Sequence, residues 1–257
     1  MPVETVPELG YPTCADAGAP SEGQARVLAA VTMQGSKDSM AEADARERFE
    51  LTARDCLLVA TTRQAWKHGA TDVEVVFDEN LVPLRAWRRM TTFRASAHAA
   101  SNGADAHVAS VEPAADVRRY ELRTPEVTIK KRSASGDVVF ESLRGAHPTA
   151  VIGPGRGLLT AWIKRSRLAV GEKVREPVLD FREIVEIVRD VTLKREADRD
   201  DAALGRTVRV YTIYGREAVF TDENDVVLGD LAGMRVAAPD EGAEPALVGP
   251  PETVDTP

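Results

Sequence analysis

The chain has 257 residues, 43% of them hydrophobic and 29% charged, which suffices to bury a sizeable core without help from metals. A net charge of −8 and an aromatic content of 5% argue against a dedicated nucleic-acid binder, which needs a basic footprint and stacking surfaces. No apolar run approaches the roughly 20 residues of a membrane-spanning helix, so no transmembrane segment is expected.

Residues 1–24 mix Pro2, Pro7, Pro12 and Pro20 with Gly10, Gly18 and Gly23 and read as a disordered tail. As written, this stretch has neither a basic n-region nor an apolar h-region, which is not the pattern of a secretory signal and makes the cytoplasm one expected location. Cys14 lies in the tail and Cys56 in the apolar run DCLLVA. Their settings favour one tail thiol and one buried thiol, with a Cys14–Cys56 disulfide as the alternative.

Residues 25–238 read as a single β-rich domain, because a period of two dominates them. In FELTARDCLLVATT, Phe49, Leu51, Leu57 and Val59 share one parity. In TDVEVVFDEN, Val73, Val75 and Phe77 share a face and a turn is expected at Asp78–Asn80. LVPLRAWRRMTTF places Leu81, Trp87 and Phe93 on one parity, with Arg85 and Arg89 intruding. Residues 94–116 are small, polar and low in complexity, and are expected to form a long loop that divides two halves of one sheet. EVTIKKRSASGDVVFESL reads as a hairpin, with Val127 and Ile129 before a polar turn and Val138 and Phe140 after it.

The basic residues concentrate in mid-chain: Arg85, Arg88, Arg89, Arg118, Arg119, Arg123, Lys130, Lys131 and Arg132. A basic sheet face of this kind could hold an anionic headgroup or a nucleic acid. The simpler expectation is cross-strand pairing with Glu121, Glu126 and Glu141 on a solvated face.

In VIGPGRGLLTAWIKRSRL, glycines stand at 153, 155 and 157 before an apolar run. Pro154 removes one N–H, and the Gly-Lys-Ser/Thr of a phosphate loop is absent. Leu158, Leu159, Trp162 and Ile163 fit one face of a helix over about 157–165, closed by basic residues that suit its C-terminal dipole. An anion site at Gly155, Arg156 and Gly157 is the alternative function of this turn.

Downstream, KVREPVLDF is a strand candidate, and EIVEIVRDVTLKRE fits either period but its β-branched content favours strand. RTVRVYTIYG alternates, with Val208 and Val210 opposite Tyr211 and Ile213, and EAVFTDENDVVLGDL should turn at Asp222–Asp225. That turn lacks the central Gly and distal Glu of a calcium loop. The four histidines, His68, His98, His107 and His147, are scattered. Neither a metal site nor a cofactor is expected, and no nucleophilic motif occurs. Residues 239–257 read as a second disordered tail.

The segment GLLTAWIKRSRLAVGEKVREPVLDF, together with VFDENLVPLRAWRR, resembles a bacterial envelope family of unknown function that is similar to the lipoprotein-carrier fold. The resemblance implies a strongly curved antiparallel sheet with a short helix on its concave side, in the periplasm or cell envelope. It supplies no catalytic residue.

The expected fold is therefore mainly β: a curved open antiparallel sheet or half-barrel of about ten strands, with one short amphipathic helix packed on it. The expected function is a non-catalytic binding or structural protein that holds an apolar or lipid-like ligand between sheet and helix, with Trp87, Phe140, Trp162 and Ile163 lining the cavity. The alternative is an enzyme acting on an anionic substrate through Gly155–Gly157 and the central arginines.

Overall fold

The structure, a computed structural model, describes residues 25–35, 45–54, 56–66, 69–93, 113–122, 126–144, 147–182 and 186–237. The expected tails at 1–24 and 239–257, and most of the expected loop at 94–116, lie outside these residues. Within them the period-two pattern becomes one open, mainly antiparallel sheet of 16 strands, more than expected. The first half comprises β1 (Arg26–Gly35), β2 (Arg46–Arg54), β3 (Leu57–Trp66), β4 (Gly69–Phe77), β5 (Pro83–Phe93), β6 (Pro113–Glu121), β7 (Glu126–Arg132) and β8 (Val138–Arg144). It is a meander in which every strand pairs with its sequence neighbour. At the end of the expected loop, Pro113–Asp116 already belong to β6, which pairs with β5 so that Arg85 stands opposite Glu121.

The second half holds β9 (Ala150–Ile152), α1 (Leu159–Ser166), which is the one α-helix among the described residues, β10 (Lys173–Asp180), β11 (Ile187–Arg195), β12 (Arg199–Asp201), β13 (Arg206–Ile213), β14 (Glu217–Thr221), β15 (Val227–Asp230) and β16 (Met234–Val236). The β-branched segment at 187–195 is a strand, as its composition favours. β16 pairs with β1, which joins the halves into the order 8-7-6-5-4-3-2-1-16-15-14-13-11-10-9. One pair departs from the antiparallel expectation: β9 and β10 are parallel, with α1 as the crossover between them.

The sheet curls until its two ends meet. Tyr120 on β6 stacks on Phe181, just past β10, with ring centroids 5.2 Å apart. Arg118 on β6 bonds Glu186, next to β11, although β6 and β11 stand near opposite ends of the strand order. The enclosed face is filled by α1 and the 3₁₀ turn Arg156–Leu158 before it. Leu158 and Ala161 join the core of the first half, with Phe49, Leu51, Val73, Val75, Phe77, Val127 and Ile129. Leu159, Trp162 and Ile163 join the core of the second half, with Ile152, Leu193, Tyr211 and Ile213. The helix is thus buried on two sides.

Parity fails where a chain reversal intervenes. Phe49 and Leu51 face the enclosed core, but the hairpin register pairs Thr52 with Val59, which puts Leu57 and Val59 in a separate cluster with Val76 on the outer face. In the β7–β8 hairpin, Lys130 pairs with Phe140 and Arg132 with Val138. The expected hairpin is present, and its register turns Val138 and Phe140 away from Val127 and Ile129. Cys56 is disulfide-bonded, so it is not the free buried thiol expected; Cys14 lies outside the described residues.

Two turns share one construction. Asp78 Oδ1 accepts the N–H groups of Asn80 (2.9 Å) and Val82 (2.8 Å), and Asp222 Oδ1 accepts those of Asn224 (2.9 Å) and Val226 (2.8 Å). Both are Asp-Glu-Asn corners, closed by a residue with positive φ: Leu81 at 61° and Asp225 at 60°. In the second corner Asp222 serves the turn itself, while Glu223 bonds Arg206 and Asp225 bonds Arg209 and Tyr211 on β13.

The close approach of turn and sheet requires glycine at 157, where a Cβ would overlap the Phe49 ring. Gly157→Ala should lower stability by about 1–3 kcal/mol through overpacking. Gly136→Ala, at an open site with φ +91°, should cost only about 1 kcal/mol through backbone strain. Urea denaturation of the two variants tests the difference; equal losses would mean that the Gly157–Phe49 contact is slack.

Candidate functional site

The glycine-rich turn follows a strand, opens a helix and precedes a parallel strand. This is the local arrangement that cradles phosphates in nucleotide-binding folds. Here the turn already holds an anion from within the chain. Glu47 on β2 is fully buried and accepts the N–H groups of Arg156 (2.8 Å) and Gly157 (2.7 Å), plus the Thr62 hydroxyl at 3.3 Å. Gly155 carries no Cβ, which would overlap Thr62 and crowd Glu47. Burial pushes the Glu47 pKa up, against the opposing pull of the Gly157 and Arg156 N–H groups and the Arg156 charge.

Arg156 itself turns outward. Its Nε bonds Asp230 at 2.7 Å and its Nη1 bonds the Pro154 carbonyl at 3.3 Å. It thereby forms one edge of a cleft of about 580 Å³ between residues 152–156 and the β13–β15 hairpins. Ile152, Leu159, Ile213, Ala218, Val219 and Leu231 supply apolar wall; Arg156, Arg182, Arg216, Glu217 and Asp230 supply charge. Arg182 reaches Glu217 at 2.6 Å, while Arg216 is exposed and has no acidic partner among the described residues.

Behind Arg182 lies Asp180, whose side chain is 3% exposed. It accepts from Arg182 Nη2 (3.0 Å), Arg189 Nη2 (2.7 Å) and the Tyr214 hydroxyl (2.8 Å). Burial alone would raise its pKa, but the hydrogen bonds and charges of Arg182 and Arg189 hold it down at about 2. Both guanidiniums also lie near the Tyr214 ring, at 5.6 and 4.6 Å from its centroid. Asp180 thus fixes the arginine that lines the cleft.

The anion-site residues Gly155 and Arg156 line this cleft, but the Arg156 and Gly157 N–H groups of the turn face Glu47 instead. The four residues expected to line an apolar cavity do not converge. Trp162 and Ile163 are core, and the Trp162 Nε1–H donates to Glu176 at 3.1 Å. Phe140 is 63% exposed and shares the outer face with half-buried Trp87, the face opposite the helix. Sequence reading missed Glu47, whose signal is an acid on the parity of Phe49 and Leu51. It also missed the Asp180 network, which no local pattern announces.

The central basic residues divide by parity. Arg88 and Arg118 are buried at 3% and 5% exposure and point into the enclosed face, rather than pairing on a solvated one. Glu186 collects them: Arg118 bonds it, Tyr120 donates at 3.0 Å, Lys131 lies at 3.2 Å and Arg88 at 3.8 Å. Burial would raise the Glu186 pKa, yet these cations lower it. Arg88 also donates to the Phe181 carbonyl. The cluster clasps the first half of the sheet to the second.

No family model matches the chain, and no curated protein does. Among solved structures it is similar to a DUF1089 family protein from Pseudomonas aeruginosa, at 12% identity over 73% of this chain and 89% of that one, with a TM-score of 0.42. A likeness at this level carries no argument about the ligand. No helix among the described residues is long and apolar enough to cross a membrane.

Glu47→Gln keeps the volume but offers an NH₂ where an acceptor is needed. It should cost about 1–3 kcal/mol, read as a lower urea midpoint. Because the Asp180 pKa is depressed in the fold, its contribution is complete above about pH 4 and fades as pH falls toward about 2. In Asp180→Asn, the acid limb of a stability–pH curve should be shallower over that window; an unchanged limb would show that Asp180 adds nothing to acid stability.

Proposed function

We propose that this chain is a non-catalytic binding protein whose cleft takes a small amphiphile, an apolar body ending in an anionic group. The observation that carries the reading is the composition of the cleft: apolar wall from β13–β15 and Leu159, with three arginines at its edge, of which Arg216 has no described acidic partner. Its carboxylates are both engaged, Asp230 by Arg156 and Glu217 by Arg182. An arriving carboxylate or phosphate therefore finds its cation in Arg216 without dismantling an ion pair. The ligand sits beside the helix, between the glycine-rich turn and the sheet, rather than against Trp162 and Ile163.

The reading extends to the periplasm or cell envelope as the setting. The resemblance to an envelope family supports this, as does the disulfide at Cys56, a bond that persists in oxidising compartments. The enzyme alternative draws on the same turn, but with Glu47 seated on its N–H groups no free oxyanion-type pair remains at Arg156 and Gly157.

The test uses the anionic dye anilinonaphthalene sulfonate with the full chain. Bound dye should be displaced by a long-chain fatty acid at least about tenfold more readily than by the alcohol of equal length. Arg216→Glu should remove that preference, and Leu231→Asp, at a 57% exposed position of the wall, should abolish dye binding with the circular dichroism unchanged. Absence of dye binding, or equal displacement by acid and alcohol, would overturn the reading.

A further inference from the structure

The outer face of β5–β8 carries a second feature that the cleft does not use. Residues directly opposite in the registers share a face, so two rows cross these strands there: Arg89–Val117–Arg132–Val138 and Trp87–Arg119–Lys130–Phe140. The first row alternates cations with apolar side chains, the second sets Arg119 and Lys130 side by side between Trp87 and Phe140, and neither contains a carboxylate. The acids on this face flank the rows: Glu121 on β6 and Glu126 on β7 beyond their ends, and Asp72 and Glu74 one strand further on at β4, opposite Arg89 and Trp87. Arg119 and Arg132 are exposed and have no acidic partner among the described residues, while Lys130 lies over the Phe140 ring at 5.7 Å. At the edge strand the apolar members stand free, Val138 at 41% and Phe140 at 63% exposure.

We infer that this face docks on an anionic lipid surface, with Phe140 and Val138 entering the interface and Arg119, Lys130 and Arg132 against the headgroups. Charge complementarity selects this occupant. The chain as a whole is at −8, so four cations gathered on two rows form a local reversal of sign. A second copy of the chain would bring the same cations face to face. A nucleic acid would stack at most one base on Phe140 and gain nothing from the exposed Val138, whereas hydrocarbon takes both. Each cation near an anionic leaflet strengthens binding by about fivefold, and the apolar pair adds the insertion that charge alone lacks. The inference does not rest on the cleft.

The experiment is co-sedimentation of the full chain with vesicles of phosphatidylcholine alone or mixed with phosphatidylglycerol. Binding is expected only to the anionic vesicles, falling as salt is raised. Arg119→Glu with Arg132→Glu, and separately Phe140→Asp, should each weaken it by at least about tenfold. Arg132→Glu alone, at an exposed strand end, is the variant to read should the double one unfold. Equal binding to both vesicle types, no binding, or binding indifferent to these substitutions would overturn the inference. So would variant-sensitive retention on heparin without vesicle binding, or self-association lost in Phe140→Asp, which would assign the face to a polyanion or to a second copy.

Discussion

A single buried carboxylate governs how this molecule is filled. A strongly curled sheet leaves a space along its axis, and something must occupy it. Here the occupant is a short helix and its glycine-rich approach, seated on Glu47. Two backbone N–H groups at the start of the turn have no partner in the helix, and the buried carboxylate of β2 has beside them only the Thr62 hydroxyl among its hydrogen-bond donors. Each solves the other's problem. The glycines let the backbone come close enough, and the apolar side chains of α1 then divide between two cores, one on each half of the sheet.

The same seat means that a turn built like a nucleotide-binding element has its Arg156 and Gly157 N–H groups already taken by Glu47. Strand, turn, helix and parallel strand are all present, and the N–H groups do converge on an anion. The anion is part of the chain. What remains for a ligand is the far side of the turn, where Arg156 emerges toward β14 and β15. There the charge is organised by pairs that leave Arg216 over.

The curved, mainly antiparallel sheet with one short helix was legible from period-two alternation and from the cluster at Leu158, Leu159, Trp162 and Ile163. Local strand faces also came through, as in Val73, Val75 and Phe77 or in Val208 and Val210 opposite Tyr211 and Ile213. Faces failed across turns. Whether Phe140 lands beside Ile129 or behind it depends on the number of residues in the turn, and alternation inside a strand is silent on that. The candidate site was legible only at Gly155 and Arg156. Glu47 and Glu186 find their partners across long sequence separations, Asp180 adds Tyr214 to the nearby Arg182 and Arg189, and a single carboxylate among 41 acidic residues carries no local mark of such a role. Parity did hold one clue: Arg88 shares the face of Ala86, and Arg118 that of Tyr120, so both were bound inward by the pleat.

The two Asp-Glu-Asn corners have a bearing on how the chain reaches this state. Each is closed by hydrogen bonds to a side chain no more than four residues away, so each can set its hairpin early, with little loop entropy to overcome. The seat of the glycine-rich turn is different, because Arg156 and Glu47 are 109 residues apart. Contact range therefore favours an order of assembly in which the two corner hairpins close early and the central plug seats last, once a curled sheet exists to receive it.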